Sequence, residues 1–600
     1  NLTTNSIDDT TLIALTSGIF DVNGATDTFA ELTVASGAIL KGTGTLTAPV
    51  TISDRGTLSP GNSPGIINTG NLNISGNYLV DIAGDAAAGD TNGHDQTNVT
   101  GTVTLGATST LNFDFTGLAA GELSVGQTFV IINNDGTDAV TGTFNGLAEG
   151  VIAAPNVVSS GKSLAISYAG GTGNNDVVLT VVAAETSVDV VGGNLVVTDI
   201  NGGNTADNLT FTADGTNLTI TDNGNNAIDL LDELDGDAGD GTSSVTIALS
   251  EFTGTLDINT LAGNDTINIG ALTLLNNQSL DIDAGNGTDT VNINAAIALG
   301  SGESLTVTAD TINLPNAASD ITTSGAGTVT LTANRNISLA TGSSITTVDG
   351  GTTLSANAAG TATGDFVGLS VSGILETTGT GNLSLTGNGG DDATTANHYG
   401  VRLNSGAIVR STASGATAGT ITITAGGGDG TNSNYGLFAN NATVSSVDGA
   451  IVIDGTGGAG SSDSNYGVLI ANGSTVSTTG SVDGSITITG TGGAGSSGNR
   501  GVYLASSTTS ITTAAGNIMV TGTGGSGSTN NFGVALESDS TINSGGDLTV
   551  TGTGIGGSSS GVLLTFLGGG HLRTTGSGTL TLTASGPGSD LNMSDSSEIG

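Results

Sequence analysis

Short segments in which apolar and polar residues alternate run through almost the whole chain, bounded by Gly, Asn, Asp and Ser. Alternation of this kind is typical of β-strands that bury one face, whereas the spacing of an amphipathic helix is almost absent. The pattern therefore predicts an all-β protein built from many short strands.

One apolar strand followed by a Gly-rich stretch recurs in the C-terminal half, starting at residues 383, 421, 451, 486, 518, 548 and 580. A second strand keeps the same phase, with a glycine at 400, 436, 467, 501, 533 and 561. The residues Tyr399, Tyr435, Tyr466 and Phe532 directly precede four of these glycines, and we expect them to stack in a column. A third short segment lies between these two strands. Three strands per repeat predict one coil of a parallel β-helix, with the variable length placed in a Gly/Ser-rich excursion.

A tighter repeat lies upstream, where residues 256–269 and 280–293 superimpose without a gap at a shift of 24 residues. Two further copies of its ending follow at 310–314 and 335–339. Because neighbouring strands stack about 4.8 Å apart, equivalent residues should form columns. The predicted columns are Ile267, Val291, Ile312 and Ile337 inside; Ile269, Ile293, Leu314 and Leu339 beside them; and Asn268, Asn292 and Asn313 as an amide ladder that ends at Ser338.

The same repeat aligns the acidic residues Asp265, Asp289 and Asp310 in one column, with Arg335 next in line to neutralise the last of them. Carboxylates at this spacing repel, so each must face water, stay partly protonated or share a cation. The local sequences GNDTI and GNGTDTV partly match the calcium-binding nonapeptide of repeats-in-toxin proteins, although Leu261 and Ala284 replace its first glycine. The sequence thus leaves two interpretations of Asp265, Asp289 and Asp310: a Ca²⁺ site, or solvated turn carboxylates.

The densest acidic run, residues 229–241, begins like an EF-hand loop at Asp235 and Asp237. Its twelfth position is Thr246, so the bidentate glutamate that such a loop needs is missing. We therefore expect a solvated loop here.

The composition excludes several classes of function and of fold. With 53 acidic and 8 basic residues the formal charge is −45, which leaves no basic footprint for nucleic acid. The chain has no cysteine, only 3% aromatic residues, and no apolar run long enough to cross a membrane. Such a chain cannot fill one thick core, but it can fill a thin and repetitive one.

Catalysis finds little support in the residues. Polysaccharide-acting β-helix enzymes need paired carboxylates, or carboxylates beside a base and a cation, and the few basic and imidazole groups are scattered without a motif. His398 near Asp391, Asp392 and Arg402 is the nearest approach to a site, and its ordinary interpretation is a loop histidine. In TLSPGNSPGI, residues 57–66, two Pro-Gly steps indicate a structural corner rather than a site that presents Ser59 or Ser63. We expect no enzyme.

Four stretches in order, at 56–84, 95–115, 126–150 and 164–182, resemble the autotransporter-associated β-strand repeat proteins. The first contains TLSPGNSPGI and the third reads GQTFVIINNDGTDAVTGTFNGLAEG. The resemblance implies a right-handed parallel β-helix passenger of a very large bacterial surface or secreted protein. Residues 185–600 are similar, in a general way, to filamentous-haemagglutinin-like β-helices, and the family supplies no catalytic residues.

The sequence therefore predicts an elongated right-handed parallel β-helix (solenoid) in two or three consecutive segments. The expected segments are 1–184 with autotransporter-type repeats, 185–300 with Asp/Asn-rich coils of 24 residues, and 301–600 with coils of roughly 30–35 residues. The expected function is a non-catalytic extracellular stalk or adhesin segment at the bacterial surface. Its expected partners are host or neighbouring cell surfaces, glycan or matrix ligands, and adjacent β-helix segments of the same longer chain.

Two alternatives stay open for the function. One is a calcium-stabilised structural module, which the column of Asp265, Asp289 and Asp310 would explain. The other is a β-helix enzyme that acts on polysaccharide.

Overall fold

The structure is a computed structural model that describes residues 2–62, 64–119, 122–154, 157–159, 162–200, 206–231, 234, 238–482, 484–565, 569–594 and 596–600. It is all-β with parallel strands, as predicted, and short 3-10 turns occur at Val157–Ser159 and Leu249–Glu251. In the part of the chain described, no helix is both long and apolar enough to cross a membrane. The run at 229–241 falls partly outside the described residues, which omit Asp235 and Asp237.

Among the described residues, fifty-eight strands follow one another along the chain. The first group is β1 Leu12–Leu15, β2 Gly18–Asp21, β3 Thr26–Thr28, β4 Glu31–Val34, β5 Ala38–Gly42, β6 Gly44–Thr47, β7 Val50–Ile52, β8 Thr57–Pro60, β9 Ile66–Thr69, β10 Leu72–Ile74, β11 Asn77–Asp81, β12 Gln96–Val99, β13 Val103–Leu105, β14 Thr110–Asp114, β15 Thr128–Asn134, β16 Ile152–Ala154, β17 Lys162–Gly170, β18 Asp176–Val191, β19 Asn194–Asp199, β20 Asn208–Asp214, β21 Asn217–Asp222, β22 Ala227–Leu230 and β23 Ser244–Ala248.

The second group is β24 Thr255–Asn259, β25 Ala262–Gly263, β26 Thr266–Thr273, β27 Ser279–Asp283, β28 Asn286–Gly287, β29 Thr290–Ile293, β30 Ile297–Ser301, β31 Leu305–Leu314, β32 Asp320–Ser324, β33 Val329–Leu339, β34 Ser344–Thr347, β35 Thr352–Ala356, β36 Leu369–Val371, β37 Ile374–Thr377, β38 Leu383–Asn388, β39 Val401–Leu403 and β40 Ile408–Ser411.

The last group is β41 Ile421–Gly426, β42 Leu437–Asn440, β43 Thr443–Ser446, β44 Ile451–Thr456, β45 Val468–Ala471, β46 Thr475–Thr478, β47 Ile486–Thr491, β48 Val502–Ala505, β49 Ser510–Thr513, β50 Ile518–Thr523, β51 Val534–Leu536, β52 Thr541–Ser544, β53 Leu548–Thr553, β54 Val562–Leu564, β55 His571–Thr574, β56 Leu580–Ser585, β57 Leu591–Met593 and β58 Glu598–Ile599.

The chain divides into two compact units. Unit 1 comprises Asn1–Asp189, Asp199–Asn201 and Thr221–Thr246, and unit 2 comprises Val190–Thr198, Gly202–Ile220 and Ile247–Gly600. The three-segment division with breaks near 184 and 300 stays a prediction.

In unit 1, each of the first strands pairs in parallel with the strand three places later, as in β1–β4–β7–β10–β13 and β2–β5–β8–β11–β14. The structure differs from the predicted all-parallel segment after β15, because β16, β17 and β18 pair antiparallel. Gly171 and Asn174, with φ of 69° and 59°, form the tight turn between β17 and β18. A parallel pair would need a crossover of about a dozen residues or more, so a turn this short fixes an antiparallel hairpin.

In unit 2, strands of successive repeats pair in parallel, two places apart for β31, β33 and β35 and three places apart from β35 onward. The repeated strand predicted from residue 383 onward is found as β38, β41, β44, β47, β50, β53 and β56, whose first residues pair in succession from Leu383 to Leu580. The upstream columns are also confirmed, since Ile267 pairs with Val291, Val291 with Ile312 and Ile312 with Ile337. All four of these side chains are buried, which gives unit 2 a thin core of stacked aliphatic residues.

Glycine at the phase-keeping positions lets the backbones of successive repeats approach each other closely. A Cβ added at Gly501 would lie 2.5 Å from the backbone N of Thr523 and 2.6 Å from the backbone O of Gly533. A Cβ at Gly467 would lie 2.4 Å from the backbone N of Thr491. These contacts are with backbone atoms, which cannot rotate away, so the recurring glycine is a packing requirement.

Candidate functional site

The predicted aspartate column exists in unit 2, and its members are joined through the backbone. The N–H of Asp265 donates to Oδ1 of Asp289 at 2.9 Å, and the N–H of Asp289 donates to Oδ2 of Asp310 at 3.0 Å. One repeat earlier, the N–H of Asp207 donates to Oδ1 of Asp265 at 2.9 Å. Each carboxylate therefore accepts from the aspartate of the preceding repeat.

The aspartates of this column are less exposed than solvated turn carboxylates would be. The side chains of Asp265 and Asp289 belong to residues that are 1% and 0% exposed, while Asp310 is half-buried. Burial, reinforced by the charges of Asp265, Asp310 and Asp283, raises the pKa of Asp289, although the hydrogen bond from Asp265 opposes this. The solvated interpretation is therefore wrong for Asp265 and Asp289.

The amide ladder runs beside the column and is confirmed. The Nδ2 of Asn292 donates to Oδ1 of Asn268 at 3.2 Å, and the Nδ2 of Asn313 donates to Oδ1 of Asn292 at 3.1 Å. The ladder ends as predicted at Ser338, whose hydroxyl donates to Asn313 at 2.7 Å. Column and ladder together fasten successive repeats with side-chain hydrogen bonds.

The carboxylate oxygens of the aspartate column do not come together as a metal centre requires. Among the described residues, Asp265, Asp289 and Asp310 do not bring three carboxylate oxygens within 4.8 Å of one another. Arg335 does not pair with Asp310 as predicted, because its guanidinium lies over the ring of Phe366, 5.1 Å from the centroid, and ion pairs found among the described residues do not include it. The Ca²⁺ role of the three aspartates stays a prediction.

Unit 1 holds a polar cavity that the sequence did not single out. It measures about 240 Å³ and its wall contains Ser59 and Gly61 of the TLSPGNSPGI stretch, together with the charged residues Lys41, Asp81, Asp95 and Asp114. Lys41 and Ser59 face each other on paired strands β5 and β8, and Asp81 and Asp114 do so on β11 and β14. The side chains converge because four stacked strands place them at neighbouring positions.

Asp95 is the titratable group that this cavity changes most. Its Oδ1 accepts from the N–H of Gly65 at 2.7 Å and its Oδ2 from the N–H of Asp81 at 3.1 Å. Burial raises the pKa of Asp95 to about 7, with smaller contributions from the charges of Asp81 and Asp114, while the two hydrogen bonds oppose the shift. Asp95 is therefore a carboxyl group able to hold or release a proton near neutral pH.

Serine-centred chemistry is absent from the described part of this cavity. His94, the nearest histidine in sequence, packs edge-on against Phe129 with ring centroids 5.1 Å apart and does not line the cavity wall. Ser59 thus has no imidazole base beside it among the described residues. Ser63 lies outside the described residues.

An aromatic row lies on an outer face of unit 2. Tyr399 stacks on Tyr435 with ring centroids 5.1 Å apart, and Tyr435 stacks on Tyr466 at 4.8 Å, which confirms this part of the predicted column. Because the rings cover one another, their faces are not free to serve as platforms for sugar rings.

Arg500 was missed by the sequence reasoning, although it occupies the aromatic position of its repeat. Its guanidinium lies 5.8 Å from the centroid of Tyr466, 5.5 Å from that of Phe532 and 4.0 Å from that of Tyr503. It also pairs with Glu537 at 3.1 Å, and both side chains are largely buried. The signal was present, because NRG at 499–501 aligns with NYG at 465–467 and NFG at 531–533.

His398 has the ordinary role expected of it. It is fully buried, its Nδ1 lies 2.8 Å from the carbonyl O of Asp429 and its Nε2 lies 2.8 Å from the hydroxyl of Thr395. Since a carbonyl only accepts, Nδ1 carries the proton in this arrangement. Both ring nitrogens are engaged within the fold.

Comparison with known proteins adds no relative to this picture: no family model matches the chain, and neither a curated protein nor a solved structure matches it.

Proposed function

We propose that the chain is a right-handed parallel β-helix that serves as a non-catalytic structural stalk or adhesin segment of a large bacterial surface or secreted protein. The observation that carries the proposal is the parallel stacking of successive repeats in unit 2, where β31, β33 and β35 pair two places apart and β35, β38 and β41 pair three places apart. Each three-strand repeat is then one coil. Right-handedness follows from the strong preference of parallel crossover connections for that hand.

The interactions between coils are those expected of a structural element that bears mechanical load. Backbone hydrogen bonds join each strand to the next coil, and the ladders of Asn268, Asn292 and Asn313 and of Asp265, Asp289 and Asp310 add side-chain bonds in the same direction. Stability in such an array is approximately a sum over neighbouring coils, so unfolding can proceed coil by coil.

The surface role rests on composition and on the resemblance of residues 56–182 to autotransporter-associated repeats. A strongly acidic chain without cysteine is compatible with an exterior location and offers no nucleic-acid surface. Its partners would be host or neighbouring cell surfaces, glycans or matrix components, and adjacent β-helix segments.

Single-molecule force spectroscopy tests the mechanical role. When the chain is pulled from both ends of the repeats at 383–585, it should extend in steps of whole repeats of 30 to 38 residues. Extension without resolved steps at low force would rule out a load-bearing coil stack. Binding of the fluorescent chain to cell, glycan and matrix panels separates an adhesin, which binds saturably, from a plain stalk.

A polysaccharide-acting β-helix is the second candidate, and the cavity of unit 1 favours it, because Asp95 combines a pKa of about 7 with neighbouring carboxylates and Lys41. A depolymerisation assay on mixed glycans tests this activity with Asp95→Asn as the matched variant. Cleavage that disappears in D95N would overturn the non-catalytic proposal.

A further inference from the structure

One outer face of unit 2 carries two parallel columns of hydroxyl side chains. Ten strands contribute to them, namely β31, β33, β35, β38, β41, β44, β47, β50, β53 and β56, each paired in register with the next. The first column runs from Thr306 to Thr581 and the second from Thr308 to Thr583. Of these twenty positions, two per strand, all but Val452, Asp454 and Met519 are Thr or Ser, which leaves seventeen hydroxyls.

These side chains point away from the core and are available to a ligand. The strands alternate buried aliphatic with half-buried or exposed hydroxyl residues, as in ITIT at 486–489. Among the described residues, none of the seventeen hydroxyls takes part in a side-chain hydrogen bond within the protein, and none has an interaction of another kind. These hydroxyls can therefore form hydrogen bonds with a ligand that covers the face.

The columns form a regular two-dimensional array. Hydroxyls repeat about 4.8 Å apart along a column, because parallel strands have that spacing, and the two columns lie about 6.6 Å apart, because every second residue faces outward. Nine steps between ten strands extend the array over about 43 Å. In the later repeats Thr456, Thr491, Thr523 and Thr553 add a third column beyond the glycine position.

Charge is nearly excluded from this face, although the chain carries a formal charge of −45. Asp454 is the single charged residue among the twenty positions. The outward rows of the other two strand sets differ, since one contains Arg402 and Tyr503 and the other contains Glu376 and Arg410. Thr or Ser also fills the row of Glu376 and Arg410 on β43, β46 and β49, but charged residues interrupt that row. The row from Thr306 to Thr583 continues over ten strands with one charged residue, which indicates a surface built for a periodic and uncharged ligand.

We propose that this threonine face binds ice. Water oxygens on a prism face of hexagonal ice also repeat in two directions, at intervals close to the strand spacing and to the two-residue spacing of the array. Each threonine offers one hydroxyl that can join the lattice and one methyl group that sheds disordered water, and an ordered solid requires little conformational loss from a rigid sheet. Charged side chains hold their own hydration shells and would disrupt the fit between the hydroxyl array and the ice lattice.

Ice shaping and inhibition of ice recrystallisation by the intact chain test the proposal. Two double variants change neighbouring strands of the second column: Thr489→Tyr with Thr521→Tyr, and Thr489→Lys with Thr521→Lys. Tyrosine favours β-strands, so the first variant is expected to fold while its rings break the flat face. The control is Thr512→Lys, an outward position of β49 on a different strand set.

The wild type and T512K should shape ice crystals and inhibit recrystallisation, whereas either folded double variant should lose both activities. Circular dichroism shows which of the two double variants fold. One folded double variant is sufficient for the test. Absence of ice activity in the wild type, or its retention in a folded double variant, would overturn the proposal. Binding to crystalline cellulose or chitin without any effect on ice would overturn it as well, and would assign the face to polysaccharide.

Discussion

The backbone N–H of Asp265 donates to the carboxylate of Asp289 at 2.9 Å, one repeat further along the chain. Both residues are buried, so this N–H has no water to replace its acceptor. We expect Asp289→Ala to destabilise unit 2 by about 1–3 kcal/mol, the usual cost of an unsatisfied buried polar group. Chemical denaturation measures the loss.

The matched variant is Asp289→Asn, which keeps a carbonyl oxygen for the same N–H and removes the charge. Because burial and neighbouring carboxylates raise the pKa of Asp289, D289N should be close to the wild type in stability. Equal losses in D289A and D289N would show that the negative charge, not the hydrogen bond, matters at this position.

Calcium should have little effect on the thermal midpoint. The carboxylates of Asp265, Asp289 and Asp310 already accept backbone N–H groups, and their oxygens do not converge in threes. We therefore expect equal midpoints in Ca²⁺ and in EDTA. A rise with Ca²⁺ that D289N removes would instead establish these aspartates as a metal site and favour a calcium-stabilised module.

The stability of unit 1 should fall as pH rises from about 4 to about 7. Folding raises the pKa of Asp95 from the ordinary 3.8 to about 7, so the folded state binds this proton more tightly than the unfolded state. The stabilisation is fully present below about pH 4 and is lost as pH rises to about 7. We expect Asp95→Asn, which mimics the protonated group, to match the wild type at low pH and to exceed its thermal midpoint at pH 8.

Asp54→Asn is the control for this titration, because the side chain of Asp54 is 67% exposed. It should leave the pH dependence of the midpoint unchanged. A D95N protein with the same slope as the wild type between pH 4 and 8 would contradict the assignment of that slope to Asp95.

Repetition made much of unit 2 predictable from sequence. A strand spaced by 24 residues fixes which residues stack, so the core column from Ile267 to Ile337 and the ladder from Asn268 to Ser338 were both predicted correctly. The equivalence of Leu383 through Leu580 followed in the same way. A one-residue error of register would have turned the polar side chains inward, which is why the alternation is informative.

Features without a repeat were not predictable. The cavity around Asp95 depends on residues from four stacked strands and a loop, which sequence spacing does not bring together. Burial of Asp289 was missed because an aspartate in a Gly-rich turn resembles a solvated one. Arg335 was aligned with the column, but a register shift after Ala309 moves it out, and the ring of Phe366 then provides a contact.

Glycine at the phase-keeping positions should tolerate no side chain. We expect Gly501→Ala to destabilise unit 2 by about 1–3 kcal/mol or more, because the new methyl group would lie 2.5 Å from the backbone N of Thr523. Gly406→Ala is the comparison, since that Cβ meets nothing within 4 Å and only a left-handed φ of 87° opposes it. A smaller loss in G501A than in G406A would show that the strands can separate locally.

Arg500 should contribute more to stability than any exposed ion pair. Arg500→Ala leaves Glu537 largely buried with the hydroxyl of Tyr503, at 2.7 Å, as its remaining partner, and it opens a gap between the rings of Tyr466 and Phe532. We expect a loss of about 2 kcal/mol or more in the free energy of unfolding. Arg573→Ala breaks an ion pair with Glu598 in which both side chains are about half exposed, so it should cost less than about 1 kcal/mol. Adding Glu537→Gln to R500A removes the unpaired buried charge and should recover part of the lost stability. If the double variant is no more stable than R500A, ring packing and not the buried charge accounts for the loss.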